Sequence, residues 1–140
     1  MDIIKITPDR QKAASLLDTV NLRLDLIILM KNNDLAKYSS KIAEEYYETV
    51  LELITALMSI DGYKTRTDLP GSHITAIEYL GSAYKEFTGA EMSLIEDLRK
   101  RRNGIKYYGK HVDQSYITIY ESQINQLIEK LIKIVRKNLS

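Results

Sequence analysis

The run Asp97-Leu98-Arg99-Lys100-Arg101-Arg102-Asn103-Gly104-Ile105-Lys106-Tyr107-Tyr108-Gly109 carries an apolar stripe and a basic cluster on one segment. Leu94, Ile95, Leu98 and Ile105 recur at helical spacing, and Gly109 follows as a stop signal. Arg102 falls on that stripe, four residues after Leu98 and three before Ile105. An arginine on a core-facing stripe is costly unless it is paired or lines a cleft. It is therefore a candidate anion binder. Arg99, Lys100 and Arg101 read instead as charge complementing the helix C-terminus on a solvated face. Asn103 and Tyr107 are spaced i,i+4 and share a face. Guanidinium, amide and phenol converging there suit a phosphodiester. Lys106, Tyr108 and His111 surround them as candidate substrate contacts.

Working outward, Thr88 and Glu91 form a capping box that opens this helix. Near the N-terminus, Thr7 as N-cap and Pro8 at the first helical position predict a helix through Ala13, Leu16, Leu17, Val20, Leu24, Ile27 and Ile28. Asn32-Asn33-Asp34 ends it and caps a second helix carrying Leu35, Tyr38, Ile42, Tyr46, Val50, Leu53, Leu57 and Ile60. A loop from Asp61 to Gly71 follows, with turns at Asp61-Gly62 and Leu69-Pro70-Gly71. Ser72 is the expected cap of a short third helix through Ile74, Ile77, Leu80 and Tyr84. The last helix starts near Asp113 and runs through Tyr116, Tyr120, Ile124, Leu127, Leu131 and Ile134 to Arg136-Lys137. The one weak strand alternation is Ile3-Ile4-Lys5-Ile6. The expectation is an all-α, antiparallel bundle of about five helices, two long, one short and two C-terminal, in a single domain over residues 1–140.

A formal net charge of +1 excludes a global basic field, so nucleic-acid contact requires a local patch. With no cysteine, disulfides, thiolate metal sites and a cysteine nucleophile are excluded. No apolar run reaches the roughly 18 residues of a membrane helix, and Met1-Asp2-Ile3-Ile4-Lys5 does not read as a signal peptide. The expected setting is cytoplasmic, with no membrane partner and no cofactor. Glu44, Glu45 and Glu48 are expected to form a solvated face, because neither His73 nor His111 supplies the Glu-x-x-His spacing of a di-iron bundle; no metal site is expected. Tyr38, Tyr46, Tyr84, Tyr116 and Tyr120 read as core or interface, while Tyr46-Tyr47 has the alternative of stacking a base. His73 reads as structural, at the start of the third helix. His111 is either an exposed loop residue or a member of the site.

Arg102, Asn103 and the helix order together resemble the HEPN family, the higher-eukaryote-and-prokaryote nucleotide-binding domain, over nearly the whole chain. The family motif is an arginine, a polar residue, three further residues and a histidine near the end of the penultimate long helix. Arg102 and Asn103 match its first two positions, and Tyr107 stands where the histidine would be. The resemblance implies a homodimer with the arginine motifs facing each other across a cleft. It also implies RNA or nucleotide as ligand, and a minimal nucleotidyltransferase as antitoxin partner. Many members are metal-independent endoribonuclease toxins, and others are non-catalytic binding or docking modules. Tyr107 argues for weak or lost activity: an unperturbed phenol, with a pKa of about 10, is a poor base at neutral pH, where a histidine serves well. His111 is a second route to a site histidine, and Tyr107 or Tyr108 is a candidate for modification by the partner.

Overall fold

A computed structural model of the chain describes residues 2–66 and 71–140. The expected turn at Leu69-Pro70-Gly71 falls largely outside the described residues. The order of elements is β1 (Ile3–Lys5), α1 (Arg10–Asp61), β2 (Tyr63–Thr65), α2 (Ser72–Ala83), α3 (Gly89–Tyr108) and α4 (Gln114–Leu139). The fold is all-α, as the periodicity predicts, with four helices in place of five. The first two expected helices run together as α1, broken only at Asp34, whose φ of −164° and ψ of 93° are extended. Asp34 ends one arm and begins the next, its Oδ1 accepting from the Lys37 backbone N–H at 3.1 Å. The arms, residues 10–33 and 35–61, fold back as a hairpin. The Arg23 guanidinium meets Glu45 at 2.7 Å, and these two residues are equidistant in sequence from Asp34. Asp9 and Ser59, also equidistant, close the far end through an N–H to carbonyl hydrogen bond of 2.8 Å.

The second arm is the spine. Ile42, Tyr46, Tyr47, Val50, Leu53, Ile54 and Leu57 are all buried, which means apolar contact on most of its circumference. α4 presents Ile117, Ile124, Leu127, Leu131 and Val135 to it at steps of seven, three and four residues. Each fully buried side chain of this kind contributes about 1.5–3 kcal/mol before entropy is counted. The Arg10 guanidinium donates to the terminal carbonyls of α4 at Asn138 and Leu139, tying the first arm to its end.

Several ends differ from expectation. Asp9, not Thr7, caps α1, accepting from the Lys12 N–H at 2.9 Å, and Pro8 lies outside the helix. Ser72 does not cap α2 but is its first residue; Gly71, at φ 81°, precedes it without a side-chain cap. The segment after Asp61 contains β2, which pairs antiparallel with β1 (Ile3 to Thr65, Ile4 to Lys64, Lys5 to Tyr63). The turn between α1 and β2 needs Gly62, whose φ is +86°. The capping box at Thr88 and Glu91, the stop at Gly109 (φ 63°) and the Asp113 cap all form. Ser39 Oγ donates to the Val112 carbonyl at 2.6 Å and Ser40 Oγ accepts the Val112 N–H at 2.8 Å. These bonds pin the loop after α3, and so the end of α3, to the spine. Among the described residues no helix is long and apolar enough to cross a membrane.

Candidate functional site

Ile95, Leu98 and Arg102 are the buried residues of one stripe of α3. The helix therefore carries the arginine inward with the two apolar side chains, and only 8% of Arg102 is exposed. The core supplies its partners. Arg102 Nη2 lies 3.2 Å from Glu48 Oε1 on the spine, and its Cζ stands 5.7 Å from the centroid of the Tyr47 ring. Nη1 donates to Asn103 Oδ1 at 3.3 Å. A buried guanidinium is tolerated here because a carboxylate, an amide and an aromatic face replace its water.

A cleft of about 310 Å³ opens beside it, lined by Gly71, Ser72, His73, Ile74, Arg99, Arg102, Asn103 and Tyr107. The three motif positions Arg102, Asn103 and Tyr107 thus share one cavity. Tyr107 is 63% exposed, with Lys106 Nζ 5.6 Å from its ring centroid. Tyr108 and His111 stand elsewhere. They line a second cleft with Lys100, Arg101, Asn103, Gly104, Lys110 and Val112, and Asn103 is common to both.

The basic cluster divides as well. Arg99 turns into the first cleft and grips Glu96 with two hydrogen bonds, 2.9 and 2.6 Å long; this contact raises its pKa. Arg101 lies 4.4 Å from the Tyr116 ring centroid and 3.6 Å from Asp97. α3 continues to Tyr108, so its last-turn cation is Lys106, not the Arg99–Arg102 run.

His73 is the residue that local pattern did not bring to the site. It sits in the first turn of α2, half-buried, with Nδ1 3.1 Å from the Tyr47 hydroxyl and the two rings tilted at 5.8 Å. Burial, then the Arg102 charge, hold its pKa below the ordinary value; Glu48 opposes them. Burial pushes the Tyr47 phenol up, against the pull of Arg102. Tyr46 and Tyr47 are 1% and 0% exposed, so neither stacks a base. The glutamates are not a solvated face either. Glu45 is buried against Arg23, and Glu48 is the counter-ion of Arg102. The sequence signal for Glu48 was available only as a pairing: the arginine on the apolar stripe of α3 requires an inward carboxylate. Among the described residues, no group of three His, Asp or Glu side chains could hold a metal ion.

No family model, curated protein or solved structure matches the chain.

Proposed function

We propose that the Arg102 cleft binds phosphate-bearing ligands, RNA or nucleotide, in a HEPN-type module. The observation that carries this reading is a nearly buried guanidinium at the wall of an open cleft, beside Asn103, Tyr107 and Arg99. Planar, bidentate donors of this kind match phosphate oxygens, and the anion that faces Arg102 among the described residues is the Glu48 carboxylate, which a ligand can displace. The rest of the reading follows from the resemblance: a cytoplasmic homodimer with two such clefts facing, paired with a minimal nucleotidyltransferase antitoxin. Metal-independent RNA cleavage is the activity that goes with that reading, and Tyr107 in the histidine position weakens it.

Binding of a labelled RNA oligonucleotide in the presence of chelator, measured by fluorescence anisotropy, tests the proposal. Arg102→Met is expected to weaken binding by tenfold or more, equivalent to about 1.4 kcal/mol. Equal binding by wild type and variant refutes it. The Glu48 contact favours a second reading, in which Arg102 is a structural ion pair and the bundle is a non-catalytic docking module. That reading gains if Arg102→Met lowers stability and leaves RNA and nucleotide binding unchanged.

A further inference from the structure

We infer that His73 is the second anion-binding group of the Arg102 cleft, presenting Nε2–H to an oxygen of the same phosphate that the guanidinium holds. The inference rests on the reading of this cleft as a phosphate site, and adds the partner that the α3 motif lacks.

The argument starts from Tyr47. Its side chain is fully buried, and burial keeps its phenol protonated across the neutral range. A buried O–H needs an acceptor, and His73 Nδ1 lies 3.1 Å away. When Tyr47 donates to Nδ1, the neutral ring carries its hydrogen on Nε2. The tilted contact between the rings, 5.8 Å apart, holds that orientation. Nε2 is then the donor the ring has left, and His73 lines the Arg102 cleft. The phenol thus sets the tautomer, and the imidazole hands a hydrogen-bond donor to a place Arg102 also reaches.

The surroundings make this donor sensitive to an anion. From α1, Tyr47 and Glu48 face His73; from α3, Arg102, Lys106 and Arg99 do. His73 also lines another cleft, with Lys12, Tyr63 and Lys64. Among the described residues, the Arg102, Lys106 and Arg99 charges oppose protonation of the ring together with burial, and the Glu48 carboxylate favours it. A phosphate seated between Arg102 and His73 supplies the missing negative charge. Binding then takes up one proton from solvent at His73, the Tyr47 oxygen accepting from Nδ1–H, and the loss of the Tyr47 O–H's acceptor offsets part of the gain. No covalent bond to the ligand is made or broken.

The test uses the full-length protein and the dinucleotide dTpdT. Its diester charge is constant between pH 5 and 8, and it lacks the 2′-hydroxyl needed for cleavage. Imidazole ¹H–¹⁵N correlation spectra of the free protein are expected to show His73 as the Nε2–H tautomer. Saturating dTpdT is expected to move its titration midpoint upward. By linkage, dTpdT then binds about tenfold more tightly at pH 5.5 than at pH 7.5. His73→Phe should erase that pH dependence and keep the part of binding that depends on Arg102. An unmoved His73 midpoint with Arg102-dependent binding overturns this inference and leaves the phosphate site standing. Absence of dTpdT, RNA and nucleotide binding at every pH overturns both. The spectra of the wild-type protein decide the matter even where the variant does not fold.

Discussion

Glu48 and Arg102 make a prediction in which stability and binding move in opposite directions. The carboxylate and guanidinium are 3.2 Å apart, with side chains 28% and 10% exposed. In a surface-like medium of effective dielectric about 20, unit charges at this distance attract by roughly 5 kcal/mol. Most of that is cancelled by the cost of taking both groups out of water. Glu48 is open enough to regain water if left alone, so the net loss on breaking the pair lies near 1 kcal/mol. Glu48→Gln keeps the shape and one hydrogen-bond acceptor, and should destabilise by about 1 kcal/mol, or roughly 3 °C in Tm for a chain of this size. Arg102→Met should cost a similar amount, about 1 kcal/mol, because Glu48, with 28% of its side chain exposed, regains water when its partner is removed. Binding is expected to separate the two variants. Glu48→Gln removes the carboxylate that competes with a ligand phosphate, and should tighten RNA or nucleotide binding by several-fold. Arg102→Met should weaken it by tenfold or more, about 1.4 kcal/mol. Urea unfolding followed by circular dichroism gives the first quantity, and titration calorimetry the second. The double variant should cost less stability than the sum of the singles, since both remove one contact. If Glu48→Gln weakens binding as Arg102→Met does, the carboxylate is part of the recognition surface and the displacement argument is wrong.

Three further outcomes follow from backbone, capping and carboxylate chemistry. Gly62→Ala should lower stability by about 1–2 kcal/mol in urea unfolding. The position needs a φ of +86°, and a Cβ there would stand 3.0 Å from the Ile6 carbonyl oxygen; a wild-type urea midpoint would show that the turn relaxes freely. At the start of α3, Thr88→Ala should cost about 1 kcal/mol by removing the reciprocal cap. Hydrogen bonds from the Thr88 backbone and Lys130 outweigh desolvation and hold the Glu91 carboxyl below its ordinary value of 4.5. A carboxyl held low stabilises above pH 4.5 and loses that contribution as pH falls through its folded value. Glu91→Gln should therefore flatten the acid limb of the stability curve below pH 4.5, and an unchanged limb in Tm scans would refute this.

What the chain discloses by itself is local. The Thr88–Glu91 box, the Gly109 stop and the Asp113 cap are written within a few residues, and each forms as its spacing requires. The inward arginine was legible for the same reason, since Leu98 and Ile105 define the stripe on which Arg102 falls. The helix starts later than the Thr7-Pro8 pattern predicts because Thr7 and Asp9 offer competing caps two residues apart, and the hydrogen bond from Asp9 N–H to the Ser59 carbonyl fixes the outcome through tertiary contact. The break between the long arms was placed correctly near Asp34. The break is abrupt because a single extended residue suffices when the Asp34 side chain caps the next turn. Glu48 and His73 stayed hidden as site residues. Their partners, Arg102 and Tyr47, lie far away in sequence, and no periodicity encodes which carboxylate or hydroxyl a folded neighbour will meet.

The mirrored hairpin about Asp34 also constrains how this chain can change length. Arg23 with Glu45, and Asp9 with Ser59, behave as graduations on two rulers laid edge to edge from a common zero. One added residue in either arm turns everything beyond it by about 100°, swinging Arg23 off its carboxylates and the apolar row off α4. Only matched additions of whole turns to both arms would preserve both the facing of each arm and the graduation. Drift in this protein should therefore gather in the segment after β2 and in the loops flanking α3, leaving the span between Asp9 and Gly62 fixed in length.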